Sequence, residues 1–146
     1  MRCLSAARDE VYHAQMIRTL IPDVPFPKLN FEELQPRSLL QLTIENYVEG
    51  CIHEGFAALQ ALWQANHVEN KEMKTIFNHI AKDELQHAQL ALDIHTWLMS
   101  QLNVHERSIV MEAGRLAMNN LKNANRSAHT EDLGLGLPSQ KQFQRL

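Results

Sequence analysis

Apolar residues recur along this chain at intervals of three and four, the spacing that lines up one face of an α-helix, and strict alternation is almost absent. The first stripe is Cys3, Ala6, Glu10, His13, Ile17 and Leu20, and it is already running at Cys3 without a capping residue just before it. From Ile21 to Pro36 the pattern breaks: Pro22, Pro25, Pro27 and Pro36 remove backbone donors and disfavour helix at the residues before them. That stretch is too long for a tight helix-helix turn and reads as a crossover. Ser38 with Gln41 forms a capping-box pattern opening a second helix to about Asn66, with Leu40, Ile44, Tyr47, Cys51, Glu54, Ala58 and Ala61 on its stripe. A polar turn around His67 to Asn70 leads into a third helix bearing Phe77, Ile80, Glu84, His87, Ala91, Ile94 and Leu98, antiparallel to the second because the turn is short. A fourth, about Val104 to Asn123, carries Ile109, Val110, Ala113, Leu116, Ala117 and Leu121. The pattern predicts an all-α domain over residues 1–125 and an extended polar tail over 126–146, punctuated by Gly134, Gly136 and Pro138.

Two of these stripes are interrupted by the same polar motif. Asp9-Glu10-Val11-Tyr12-His13-Ala14-Gln15 and Asp83-Glu84-Leu85-Gln86-His87-Ala88-Gln89 share Asp-Glu-x-x-His-Ala-Gln at a separation of 74 residues. Residues three apart lie on one helix face, so each Glu points the same way as its His. Ionisable groups facing a core are costly unless paired or bound to a cation. Two facing helices that each bring a carboxylate and an imidazole meet that requirement with transition-metal ions. The plain alternative, a solvated face with chance repetition, explains a single Glu-x-x-His better than twin copies on apolar stripes.

Glu54 is the third candidate carboxylate. It interrupts an apolar stripe between Cys51 and Ala58 and stands 30 residues before Glu84, as level positions across an antiparallel hairpin would. Gly50 and Gly55 flank it, each costing ~1 kcal/mol relative to Ala in a helix, a cost that close helix approach around a ligand would explain. Glu49 competes for the role, but five residues of α-helix separate the two by roughly 140°, so both cannot face one site. Asp9 and Asp83, beside the glutamates, are placed to accept the second imidazole N–H of a metal-binding histidine. Tyr12, Tyr47 and Cys51 lie near the site by spacing and read equally well as core. His53, His67, His79, His95, His105 and His129 form no spaced pair with the proposed ligands and read as surface or boundary residues.

Composition narrows the rest. With 45% hydrophobic residues the chain can build one core, and a net charge of −3 without basic runs offers no footprint for nucleic acid or an anionic membrane. The N-terminal residues lack a signal-peptide apolar region and no run is long enough to span a bilayer, which predicts a cytoplasmic protein. Cys3 and Cys51 are too few for a disulfide framework and read as buried free thiols.

The twin Glu10-x-x-His13 and Glu84-x-x-His87 with Glu54 between them resemble the ferritin-like di-iron carboxylate superfamily. More narrowly, Arg8 to Gln15, Glu49 to Glu54 and Asp83 to Ala88 are similar to bacterial ferritin-like domain proteins, over roughly Arg2 to Leu102. The resemblance implies a four-helix bundle with one long crossover. It also implies a site of two iron ions, or mixed manganese and iron, that reacts with oxygen or peroxide to oxidise Fe(II) or a small organic substrate. The metal ligands carried over are Glu10, His13, Glu54, Glu84 and His87. The family pattern has a further Glu on a helix before the first Glu-x-x-His. No position of this sequence provides it, so the expectation is a bundle lacking its first helix, completed by an upstream helix or by a homo-oligomer. Glu112 is a weaker substitute. The alternative is a non-catalytic, degenerate metal-binding or interaction module.

Overall fold

The computed structural model describes residues 2–21, 36–127 and 134–143, and among them every regular element is helical. Helix α1 spans Arg2–Leu20. Helix α2, Leu39–Glu45, runs without a break into a π-helix, Asn46–His53, and then into α3, Glu54–His67, so these three form one rod. Helix α4 spans Lys71–Gln101, α5 spans Val104–Ser127, and a short α6 spans Gln140–Phe143. The proline-rich crossover expected over Ile21 to Pro36 lies outside the described residues except at its ends.

The helix starts follow from local chemistry. Ser38 Oγ accepts from the Gln41 amide at 3.2 Å while the Gln41 side chain accepts from the Ser38 amide at 2.8 Å, the reciprocal box that the sequence announces. Asn70 Oδ1 receives the Glu72 and Met73 amides at the start of α4, and Asn103 with Glu106 forms a second reciprocal box at the start of α5.

The α3–α4 hairpin is the body of the molecule, with Ala58, Ala61, Ala65, Phe77, Ala81, Ala91 and Leu98 buried along it. Alanine at most of these positions lets the two backbones approach closely. Gly50 serves the same end, since a Cβ there would lie 2.8 Å from the Ala91 Cβ. Gly55 does not, because a Cβ there meets nothing within 4 Å. Helix α5 packs on the π-helix and α2, where Tyr47 lies over Gly114 so closely that a Cβ would be 2.1 Å from its ring. The buried stripe of α5 is Val110, Gly114 and Ala117; Ile109 and Leu116, expected inside, are exposed.

Helix α1 packs antiparallel on α4 and buries only His13, so Cys3, expected in the core, is exposed. The tail also departs from expectation. Helix α5 continues past residue 125 to Ser127, and Leu135 docks by its carbonyl on Gln64 Nε2 at 3.1 Å. Gly136, at a φ of 64°, lies against the Val68 backbone where any side chain would clash. Among the described residues of the tail, Leu135 and Gly136 thus lie against the end of α3, and α6 follows them.

Candidate metal centre

The two repeated motifs meet where α1 crosses α4. His13 Nδ1 lies 3.3 Å from Glu84 Oε1 and 3.7 Å from Glu10 Oε1. His87 Nδ1 lies 3.1 Å from Glu10 Oε1 and 3.5 Å from Glu84 Oε2. Each imidazole thus faces its own helix's glutamate and that of the other helix. The repeat in the sequence has become a local two-fold relation in space.

The aspartates follow the same exchange. Asp83 on α4 accepts from His13 Nε2 at 3.2 Å, and Asp9 on α1 accepts from His87 Nε2 at 3.2 Å. The support for each histidine therefore comes from the opposite helix. A proton held on Nε2 leaves Nδ1 as a lone pair, and both Nδ1 atoms face the carboxylates.

Glu54 joins from the end of the π-helix. Donor atoms of Glu10, Glu54, Glu84 and His87 all lie within 4.8 Å of one another, and Glu54 hydrogen-bonds Glu84. Glu49 does not enter: it is 69% exposed and pairs with His53 Nδ1 at 2.8 Å. The structure thus gathers Glu10, Glu54, Glu84 and His87 into one cluster and places His13 beside Glu10 and Glu84 but outside it. Burial is uneven, with His13, Glu84 and His87 enclosed, Glu54 half-buried and the Glu10 side chain 53% exposed, so solvent reaches the cluster at Glu10.

Without a cation this arrangement is electrostatically poor. Burial, the hydrogen bond that the protonated carboxyl donates to Glu54, and the charges of Glu10, Glu54 and Asp83 push the Glu84 carboxyl up to about 9. His13 Nδ1 and Glu84 Oε2 are buried without a hydrogen-bond partner, which native interiors rarely tolerate. Orphaned donor atoms of the metal-binding type, facing one another, are what a cation would satisfy. Carboxylate and imidazole without thiolate suit iron or manganese. The half-buried Cys51 lies outside the cluster, and burial pushes its thiol up to about 11.

Two openings lead to the cluster. A groove of about 660 Å³ runs between α1 and α3 beside His13, Glu10 and Glu84, with Ile17, Phe56 and Ile80 among its walls. A smaller cavity of about 190 Å³, walled by Ala6, Ala7, Leu90 and Ile94, ends on Glu10, Glu54 and His87.

Away from these openings, Tyr12 lies edge-on to His79, with ring centroids 5.6 Å apart. Tyr47 stacks on His95 at 4.4 Å, and burial holds that histidine below its ordinary range. Glu112, the substitute ligand considered from sequence, is exposed and paired with Arg115.

His79, read from the sequence as a surface or boundary residue, is exposed and reaches the edge of the site. His79 Nε2 lies 3.4 Å from Asp83 Oδ2, the oxygen that also receives His13. Its signal was the four-residue step from His79 to Asp83, which stacks them on one helix face.

Comparison of the chain with family models, with curated proteins and with solved structures finds no match.

Proposed function

We propose that this is a ferritin-like di-metal protein that binds two iron ions, or manganese and iron together, and oxidises Fe(II) or a small organic substrate with oxygen or peroxide. The observation that carries the reading is the facing pair of histidine Nδ1 lone pairs with Glu10 and Glu84 both between them. A bound pair of such ions supplies the redox capacity that no side chain of the site has.

The chain's own part is to hold and insulate. Glu10 and Glu84, each within reach of both imidazoles, would serve as ligands to both halves of the centre, and Glu54 would add a carboxylate on the His87 side. Asp9 and Asp83 fix the imidazole orientation from across the helix pair. Ala6, Ala7, Leu90 and Ile94 give the smaller opening apolar walls. Glu84 carries a proton at neutral pH in the metal-free chain and gives it up when a cation takes its place.

Among the described residues no helix is long and apolar enough to cross a membrane. The partner in this reading is a second copy of the chain, since α1 exposes Val11 and Tyr12 and α3 exposes Leu59 and Leu62, apolar surface outside the groove beside His13. A non-catalytic metal-binding module is the second reading. It draws on the absence, among the described residues, of a carboxylate that serves the His13 half as Glu54 serves His87.

Anaerobic reconstitution with Fe(II), followed by elemental analysis and oxygen-uptake measurement, tests the proposal. Two ions per chain and oxygen or peroxide consumption are expected, both lost in His87→Ala. Two bound ions without consumption of either oxidant would favour the second reading, and binding of fewer than one ion would remove both.

A further inference from the structure

The groove beside His13 has a direction. Helices α1 and α3 run parallel to one another and antiparallel to α4, and the contacts of Glu84 with His13 and Glu54 set these three residues at one level. From that level the lining follows α1 to Ile21, α3 to Gln64 and α4 back to Phe77, and Ile17 packs on the Phe77 cluster. At the helical rise per residue, Ile21 lies roughly 12 Å beyond His13. One end of the groove is therefore the carboxylate and imidazole cluster, and the other lies near the end of α1.

The two ends differ in chemistry. Glu10, His13 and Glu84 stand at the inner end, and Ile17, Phe56, Phe77 and Ile80 wall the stretch beyond them without a hydrogen-bonding side chain. Polar groups return at Arg18, five residues past His13, and at Gln60, six past Glu54, both roughly 7–9 Å along the axis from the cluster. Gln64, one turn further on, already gives its amide nitrogen to the Leu135 carbonyl at 3.1 Å. The half-buried Gln60 side chain makes no hydrogen bond among the described residues. Arg18 has an interaction of its own in the chain, and it brings the one fixed positive charge among the lining residues. A volume of about 660 Å³ with mainly apolar walls and a few placed polar groups is the form of a small-molecule site.

We infer that this groove binds an elongated monocarboxylate, its chain along Ile17, Phe56, Phe77 and Ile80, its carboxylate at Arg18 and Gln60, and its terminal methyl at the cluster. The carboxylates of Glu10 and Glu84 repel an anion at the inner end, while Arg18 attracts one at the outer end, so the charges favour this orientation over its reverse. Binding follows from the groove itself. That the bound acid is a substrate rests on the di-metal reading above, which makes the chain terminus the part presented for oxidation.

Calorimetric titration of the metal-free full chain with octanoate, hexanoate, octanol and octylamine tests the class. Each buried methylene should tighten binding about fourfold, so octanoate should exceed hexanoate by roughly tenfold. Octanoate should also exceed octanol and octylamine. Arg18→Gln should weaken octanoate by roughly threefold and leave octanol unchanged, since the pairing is at an exposed site. Ala57→Trp, on an exposed part of the groove wall, should block octanoate while circular dichroism stays that of wild type. Intermolecular nuclear Overhauser effects should join the octanoate methyl to His13 and Ile80, and the methylene beside the carboxylate to Gln60. With Mn(II) bound, the methyl signal should broaden more than that methylene. No binding of octanoate, a preference for octylamine, full binding by Ala57→Trp, or the reversed pattern of contacts or broadening would overturn the inference. Octanoate bound as expected by protein that takes up no Mn(II) would remove the di-metal reading and leave the ligand class of the groove supported.

Discussion

Replacing Glu84 by Gln removes the most strongly perturbed acid in the molecule while keeping its shape. In the metal-free chain the carboxyl titrates near 9 rather than near its ordinary 4.5, because it is enclosed and surrounded by Glu54, Glu10 and Asp83. The native state therefore holds a proton that the unfolded chain releases. Where the native state binds more protons, stability falls as pH rises. Glu84 contributes fully below about 4.5, and its contribution is lost progressively as pH rises towards 9. The full linkage slope is about 1.4 kcal/mol per pH unit. Solvent reaches the cluster through Glu10 and the proton is shared with Glu54, so roughly half that slope is the working figure. Between pH 6 and 8 this gives about 1.4 kcal/mol, or roughly 3–6 °C in Tm for a chain of this size. Thermal unfolding in chelator, followed by circular dichroism, measures it directly. Wild type should lose Tm over this range and Glu84→Gln should lose distinctly less. Equal slopes in the two proteins would show that Glu84 is not the buried acid that the geometry makes it.

Other outcomes follow from packing and from the open groove. Gly114→Ala should cost about 1–3 kcal/mol in urea unfolding, since the new methyl meets the Tyr47 ring, whereas Gly55→Ala, with open space, should be neutral or stabilising by up to about 1 kcal/mol. Ser38→Ala should cost about 1 kcal/mol through loss of the capping box, measured in the same way. Light scattering on the purified chain should report a dimer, and a monomer that binds two metals and consumes oxygen would show that no second copy is needed. Glu84→Ala should remove one metal equivalent by elemental analysis, and unchanged stoichiometry would mean that the ligand was wrongly assigned.

The helical stripes were legible because each apolar face has a partner to pack on. The Ser38 box, the α3–α4 hairpin and the inward faces of α4 follow directly from spacing. Convergence of Glu10, Glu54, Glu84 and His87, with His13 beside it, was legible for the same reason, with the repeat adding a two-fold relation. The π-helix was not. Its i to i+5 hydrogen bonds take up more residues per turn, and no residue type marks them in advance. The roughly 140° separation argued for Glu49 and Glu54 assumed α-helical turns, so it does not apply across this segment. Glu49 is outside for another reason: it stays in water and pairs with His53. Residues Cys3, Ile109 and Leu116 were misplaced because periodicity gives a face without saying whether a neighbour covers it. Docking of the tail through Leu135 and Gly136 depends on a glycine fitting one backbone, which composition alone reads as loop.

Helix α1 is fastened differently from every other long helix. It buries one residue, His13, and apart from Ile17, which packs on the Phe77 cluster, its ties to α4 are polar: Arg2 to Asp93, Asp9 to His87, Glu10 to His87, and His13 to Asp83 and Glu84. With so little apolar surface holding it, α1 belongs to the low end of the molecule's range of local opening free energies, while the α3–α4 hairpin belongs to the high end. Ions held jointly by the two helices would act as a rivet, because every ligand on α1 would have to be released before the helix could lift away. Its backbone amides would then report occupancy of the site, exchanging with solvent quickly when it is empty and slowly when it is filled. Affinity for metal and the folding of the first twenty residues would be two measures of one equilibrium.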